Sequence, residues 1–266
     1  MKSDTAYAVA VRKPDDKIIT KKKRFTSLSK KYKILNLPFV RGVIQLGEML
    51  VIGMKTLIWS ADVAEEKEDE KLNKKEIGIT LLIAILLTIG IFIVLPYYAT
   101  KLFVEKHGLF FNIIDGVMRV LVFFAYLIII GLFKDMRRVF QYHGAEHMAV
   151  GCYEDNKPLT PKNCRKYSRL HPRCGTSFLL YVIVISILAF SIIKTDVWYV
   201  NIGIRILFIP LIVGVSYEIL KLASKYEHNF FFRILIMPGL WTQRITTKKP
   251  DDKQLEVAIA ALKEVV

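Results

Sequence analysis

The chain has 266 residues, of which 53% are apolar and 24% are charged. This is more apolar material than a soluble domain of this size needs for its core, and far more than a disordered chain carries. An odd number of cysteines, three, also excludes a disulfide-stapled secreted domain. Long apolar runs alternate with basic segments, and the net charge is +15. The composition therefore predicts a polytopic membrane protein.

Four runs are long and apolar enough for helices that cross a bilayer, which takes about 20 residues each. They are 77–98, 109–133, 176–193 and 197–217. The expected fold is all-α, with a four-span membrane domain over 77–220 that includes the polar segment 134–175.

The orientation follows from the basic residues. Lys and Arg are frequent in 1–35, 134–175 and 221–253, and few in 99–108 and 194–196. Because cytoplasmic loops are enriched in Lys and Arg, this alternation predicts that both termini and the 134–175 segment are cytoplasmic.

Residues 1–36 form a basic segment in which two alternating strands flank Pro14-Asp15-Asp16, a pattern typical of a β-hairpin. The apolar stretch 37–60 carries one polar stripe at helical spacing, made of Arg41, Gln45, Glu48 and Lys55. An amphipathic helix in the membrane interface, anchored by Trp59, fits this stripe better than a fifth span. A re-entrant segment is the alternative.

Two polar segments complete the expected organisation. The densely charged stretch 61–76 is predicted to be a solvated helix or a linker, and 221–266 a cytoplasmic C-terminal segment. Within the latter, Pro250-Asp251-Asp252 opens a short amphipathic helix. Its apolar stripe consists of Leu255, Ala258, Ile259, Leu262 and Val266.

The strongest chemical signal is His143-Gly144-Ala145-Glu146-His147, an H-x-x-E-H arrangement found in inverted zinc peptidases. Residues four apart on a helix share a face, so both imidazoles can bind one cation. Glu146 is then the candidate general base, since a carboxylate beside a metal can deprotonate a water molecule.

Three further groups are candidate ligands of the same metal. His171 and Cys174 immediately precede the third span, and Glu218 lies at the end of the fourth. The predicted topology brings all of them to the cytoplasmic face of the membrane. We therefore expect a divalent metal site, by preference zinc, with ligands drawn from His143, His147, His171, Cys174 and Glu218.

Structural interpretations compete with each of these assignments. The two histidines of the motif are also typical of amphipathic anchors, and Glu218 could pair with a nearby cation. Cys152 and Cys164 are interpreted as inert buried thiols. Asp115 and Arg119, four residues apart within the second span, are expected to neutralise each other.

Several stretches of the sequence are long enough to be specific: YAVAVRKPDDKI, FQYHGAEHMAV, SRLHPRCGTSF, SYEILKLA and PGLWTQRITTKKPDDKQLEVAIAAL. Together they resemble the YqhQ-like family of bacterial membrane proteins. The resemblance runs from about Tyr7 to Val266, although the glycine-rich GGQAVMEGVMMR-like segment of the family is missing before Ala6. It implies a bacterial cytoplasmic membrane protein of unknown function, labelled a metal-dependent enzyme, and marks His143, Glu146, His147, His171 and Cys174 as motif positions.

Two functional hypotheses follow. The first is a metal-dependent hydrolase of a peptide or a lipid-linked substrate. The second is a non-enzymatic adaptor or assembly factor for membrane-protein biogenesis or lipid handling. In the second, the cations of Lys21-Lys22-Lys23-Arg24 would dock anionic lipid, a ribosome or a translocon. The bilayer is the expected partner in both cases, with a homo-oligomer as a further expectation.

Overall fold

The computed structural model describes residues 1–3, 5–64, 74–104, 108–192, 198–227 and 229–266. A two-stranded antiparallel hairpin opens the chain, and helices make up most of the rest. The elements are β1 (Ala6–Arg12), β2 (Ile18–Arg24), α1 (Leu28–Lys31), a 3-10 turn (Lys33–Asn36), α2 (Val40–Ala64), α3 (Lys74–Ile89), a π-helical turn (Gly90–Val94), α4 (Leu95–Lys101), α5 (Leu109–Ile130), α6 (Lys134–Glu154), α7 (Pro161–Cys164), α8 (Gly175–Ile192), α9 (Trp198–Lys225), α10 (Phe230–Thr246) and α11 (Asp252–Lys263). The predicted all-α class with a small N-terminal hairpin is confirmed.

Four described helices are long and apolar enough to cross a membrane, by length and composition alone. They are Val40–Val63, Gly78–Lys101, Phe110–Ile130 and Ile206–Lys225. Three of them coincide with predicted spans. The fourth, on α2, covers the stretch expected in the interface, so its interfacial placement stays a prediction. The remaining predicted span, α8, is apolar but shorter, over Gly175–Ser191.

Some element boundaries differ from those expected. The charged stretch 61–76 is helical at both ends, since α2 continues to Ala64 and α3 begins at Lys74, while residues 65–73 lie outside the described residues. The predicted outer connection 194–196 also lies outside the described residues. Helix α9 continues to Lys225, and α10 is an additional helix that the sequence did not predict.

Helix α8 lies at the centre of the apolar helices, since it packs against α5, α9 and α10. Helix α2 packs separately, against α9. The two backbones approach closely at Gly42, where an added Cβ would lie 2.6 Å from the Cβ of Tyr217. A small residue at this crossing therefore permits the contact between α2 and α9.

The polar stripe of α2 contacts other parts of the protein. Arg41 forms a two-pronged ion pair with Glu218 on α9, in which Arg41 Nε donates to Glu218 Oε1 over 2.6 Å. Gln45 donates to Ser27 over 3.2 Å, and Glu48 accepts the backbone N–H of Leu28 over 2.6 Å. These bonds tie α2 to α9 and to the segment that follows the hairpin.

Helices α6, α7 and α11 form a second core next to the hairpin. Its fully or nearly buried residues are Ala145, Met148, Ala149, Cys152, Cys164, Leu255, Ala258, Ile259 and Leu262. Helix α11 begins with a capping box between Asp251 and Gln254. An ion pair of 2.5 Å between Arg12 of β1 and Glu256 of α11 attaches the hairpin to this core.

Inside the membrane-type helix α5, Arg119 donates to Asp115 over 2.9 Å and to the carbonyl oxygen of Phe92 over 3.2 Å. The two charges thus neutralise each other, as expected from their spacing.

We predict that Glu218→Gln destabilises the protein through loss of its ion pair with Arg41. The two side chains are only 13% and 21% exposed, so Arg41 would keep a largely buried charge with a weaker partner. The expected loss is about 1–3 kcal/mol in the free energy of unfolding. Thermal unfolding in detergent measures it, with the exposed Lys55→Gln on α2 as the control.

Candidate metal centre

Helix α6 presents two imidazoles on one face. His143 and His147 are four residues apart, and the centroids of their rings are separated by 4.4 Å. Both side chains are half-buried. The helical spacing in the sequence therefore produces the paired geometry that it predicts.

A third donor comes from the residue directly before α8. The sulfur of Cys174 lies 3.1 Å from Nε2 of His143, and it is also close to the imidazole of His147. One ligand atom from each residue lies within 4.8 Å of the other two. Around a tetrahedral zinc ion, nitrogen and sulfur ligands are about 3.5 Å apart, so modest side-chain shifts would close this group around an ion.

Two backbone carbonyls orient the imidazoles. His143 Nδ1 is 2.9 Å from the carbonyl oxygen of Thr246, and His147 Nδ1 is 2.6 Å from that of Arg169. A carbonyl oxygen only accepts hydrogen bonds, so each Nδ1 must carry a proton and donate. In the neutral imidazoles both lone pairs then lie on Nε2, which faces Cys174. Histidines that bind a metal through Nε2 commonly donate such a hydrogen bond from Nδ1.

When His143, His147 and Cys174 are all neutral, they have more hydrogen-bond acceptors than protons to donate. Two Nε2 acceptors face one thiol, which can donate a single proton, while the backbone N–H of Thr176 also points at the sulfur over 3.5 Å. Burial would raise the pKa of the Cys174 thiol, but hydrogen bonds and positive charge from His143 and His147 outweigh it and lower the pKa to about 5. A thiolate is accordingly the favoured form at neutral pH.

The charge on the sulfur acts back on the histidine. Burial lowers the pKa of His143, yet the hydrogen bond to Cys174 and the negative charge of this sulfur outweigh burial, so that the pKa is raised. A positive charge is thus stabilised among these three side chains, supplied either by a proton or by a metal ion.

The buried amide of Gln243 on α10 positions the loop that carries Cys174. Its Oε1 accepts the backbone N–H of His171 over 2.8 Å, and its Nε2 donates to the His171 carbonyl oxygen over 2.8 Å and to Ser177 over 3.0 Å. Gln243 was not predictable from the sequence, because a lone glutamine belongs to no recognisable motif.

Gly144 has a similar positioning role. The backbone N–H of Lys248 donates to the carbonyl oxygen of Phe140 over 2.8 Å, so the chain after α10 crosses α6 at this point. A Cβ on Gly144 would collide with the Lys248 carbonyl oxygen. Because Gly144 has no side chain, the chain can pass close to α6 here. Thr246, two residues before Lys248, can then reach His143.

The other predicted ligands lie apart from this three-residue group. His171 is adjacent, with its ring centroid 5.7 Å from that of His147, but its Nε2 is 3.3 Å from Glu154 and its Nδ1 accepts the N–H of Arg173. Glu218 is paired with Arg41.

Glu146, the predicted base, is exposed on α6. It lines a cleft of about 660 Å³ between α6, α2 and the hairpin. Its negative charge still contributes to raising the pKa of His143, so it lies within electrostatic reach of the histidines.

The family of this chain is shown by its similarity to known proteins. The family described as "Protein of unknown function (DUF1385)" matches residues 37–266. The chain is also 31% identical to the uncharacterized protein YqhQ of Bacillus subtilis (strain 168), over 98% of this chain and 86% of that protein. The chain belongs to this YqhQ-like DUF1385 family. The resemblance seen in the motifs is thereby confirmed. No solved structure matches the chain.

We predict that Cys174 titrates far below an ordinary thiol in the metal-free protein. As the pH falls through about 5, the thiolate should be protonated and its ultraviolet absorbance lost. Cys174→Ser should remove this transition and the buried-site control Cys152→Ser should keep it. A transition near the ordinary value of 9.0 would contradict the described geometry.

Proposed function

We propose that this membrane protein holds a divalent metal ion, by preference zinc, at His143, His147 and Cys174, and uses it for hydrolysis. The observation that carries the proposal is the convergence of two Nε2 atoms and one sulfur within 4.8 Å, with each Nδ1 already bonded to a carbonyl. Thiolate and imidazole are ligands that suit zinc. A cation would also satisfy the lone pairs that one thiol proton cannot.

The number of ligands favours a catalytic site over a structural one. Structural zinc sites are closed by four protein ligands, whereas catalytic sites keep three and leave one position open. Here both ring nitrogens of the neighbouring His171 are already paired, with Glu154 and with the backbone N–H of Arg173. This favours a site with three protein ligands. With an open position, zinc supplies a Lewis acid that makes water nucleophilic near neutral pH.

The protein's own groups would then hold the ligands and move the proton. Thr246 and Arg169 fix both imidazoles through their carbonyls, and Cys174 binds as the thiolate. Glu146 forms no ion pair with any residue in the described part of the chain, and it is exposed. Its carboxylate is therefore available to accept a proton from the attacking water and return it to the leaving group.

The position of the site suggests the class of substrate. Cys174 directly precedes the apolar helix α8. A site at the end of a membrane-type helix favours bonds close to the bilayer surface, in a peptide or in a lipid-linked molecule.

A second candidate function rests on the basic hairpin. Six of the seven residues of β2, from Ile19 onward, are exposed, and they include Lys21, Lys22, Lys23 and Arg24. This surface favours an adaptor or assembly factor that docks anionic lipid, a ribosome or a translocon. Reversal of these four charges should then abolish co-purification with the partner, while His143→Ala should not.

Elemental analysis of the purified full-length protein tests the metal site. We expect about one zinc ion per chain, with strong loss in His143→Ala and in Cys174→Ser because three-ligand sites tolerate no missing ligand. His171→Ala and Glu218→Gln are the matched controls and should keep the metal. Glu146→Gln should also keep it, but lower hydrolysis by about 10²–10⁴-fold. A wild-type protein free of transition metal would contradict the proposal.

A further inference from the structure

Two neighbouring clefts lie between α6 and the hairpin. The first, of about 660 Å³, is the one lined by Glu146 and enclosed by β1, α2, α6 and α11. The second has a similar volume of about 660 Å³ and lies between the hairpin turn, the start of α6 and the start of α11. Arg12, Arg138 and Tyr142 line both clefts, so the two clefts adjoin at these side chains.

The first cleft is mainly apolar. Its walls include Val9, Val11, Met49, Ile52 and Val257. Its volume falls in the range of about 300–1,000 Å³ that is typical of ligand-binding pockets. One wall belongs to α2, which is among the four helices apolar enough to cross a membrane. A hydrocarbon chain could therefore enter the cleft from the side of the bilayer.

The second cleft has an excess of positive charge. Of its acidic lining residues, Asp16 is paired with Lys253 over 2.6 Å, and Asp251 caps α11 by accepting the N–H of Gln254. Arg12 is likewise neutralised, by Glu256.

Three cations in this second cleft remain without a carboxylate within ion-pair distance among the described residues: Lys13, Lys134 and Arg138. Lys134 opens α6 four residues after the apolar helix α5 ends at Ile130. The uncompensated charge thus lies at the membrane end of α5, where lipid headgroups are found.

From this juxtaposition we infer that the paired clefts bind an anionic phospholipid. Lys13, Lys134 and Arg138 hold the phosphate, and the apolar cleft takes part of an acyl chain. The assignment goes beyond the metal site and does not depend on it. An apolar cavity alone would accept any chain, and the cations alone would accept any phosphate. The two together select a molecule that carries both.

The test uses the full-length protein in detergent and phosphatidylglycerol with a fluorophore on its acyl chain. Unlabelled phosphatidylglycerol should displace the probe at a concentration about tenfold lower than phosphatidylcholine of the same chains, since the latter has no net charge. Inorganic phosphate should not displace it at those concentrations. This comparison needs no variant, so it stands even where a substitution impairs folding.

Matched variants distinguish the contributions of the two clefts to lipid binding. Lys134→Glu with Arg138→Glu should weaken binding by about tenfold or more, while the exposed pair Lys162→Glu with Lys166→Glu on and after α7 should not. Gly53→Phe projects a ring into the apolar cleft, and space is open there because a Cβ on Gly53 meets no atom within 4 Å. It should weaken binding of the lipid, whereas Gly47→Phe, on α2 outside the cleft and equally open, should not.

Three outcomes would overturn the inference. Equal displacement by phosphatidylcholine would indicate adsorption of lipid to the apolar surface. Displacement by inorganic phosphate as effective as that by phosphatidylglycerol would indicate a simple anion site. Equal losses in the variants and their controls would show that the clefts are not where the lipid binds.

Discussion

Two hydrogen bonds from imidazole Nδ1 to backbone carbonyls fix the orientation of His143 and His147. They require His143 and His147 to present Nε2 to Cys174, since a carbonyl oxygen cannot donate. One thiol proton cannot satisfy two such acceptors, so the group favours a thiolate and an additional positive charge. The lowered pKa of Cys174 and the raised pKa of His143 both follow from this shortage.

The rest of the fold holds this group at the end of the apolar helices. Cys174 is positioned by the start of α8 and by the buried amide of Gln243, which binds the backbone of the preceding loop from both sides. The carbonyl of Thr246 depends on the chain crossing at Gly144. Packing of α11 on the opposite side of α6 fixes the helix that carries both histidines. Three separate chain regions therefore have to fold before the site exists.

The sequence predicted the features that depend on local patterns. Apolar runs predicted the long helices, and two strands of alternating residues predicted the hairpin. The four-residue spacing of His143 and His147 predicted that they share a helix face. Features that depend on contacts between distant segments were not predictable in this way. Arg41 and Glu218 meet only because α2 packs on α9, and the carbonyls of Thr246 and Arg169 carry no side-chain signature. Helix α10 was missed because its apolar and polar residues are mixed and Pro238 interrupts the pattern.

The local coordination of zinc in the loaded full-length protein, measured by X-ray absorption, tests the central claim most directly. The account predicts a shell with two nitrogens at about 2.0–2.1 Å and one sulfur at about 2.3 Å, the usual distances for zinc with these ligands. Cys174→Ser should remove the sulfur, and Cys152→Ser should leave it in place. A wild-type shell without sulfur, or with oxygen ligands alone, would contradict the convergence of these three side chains on one ion.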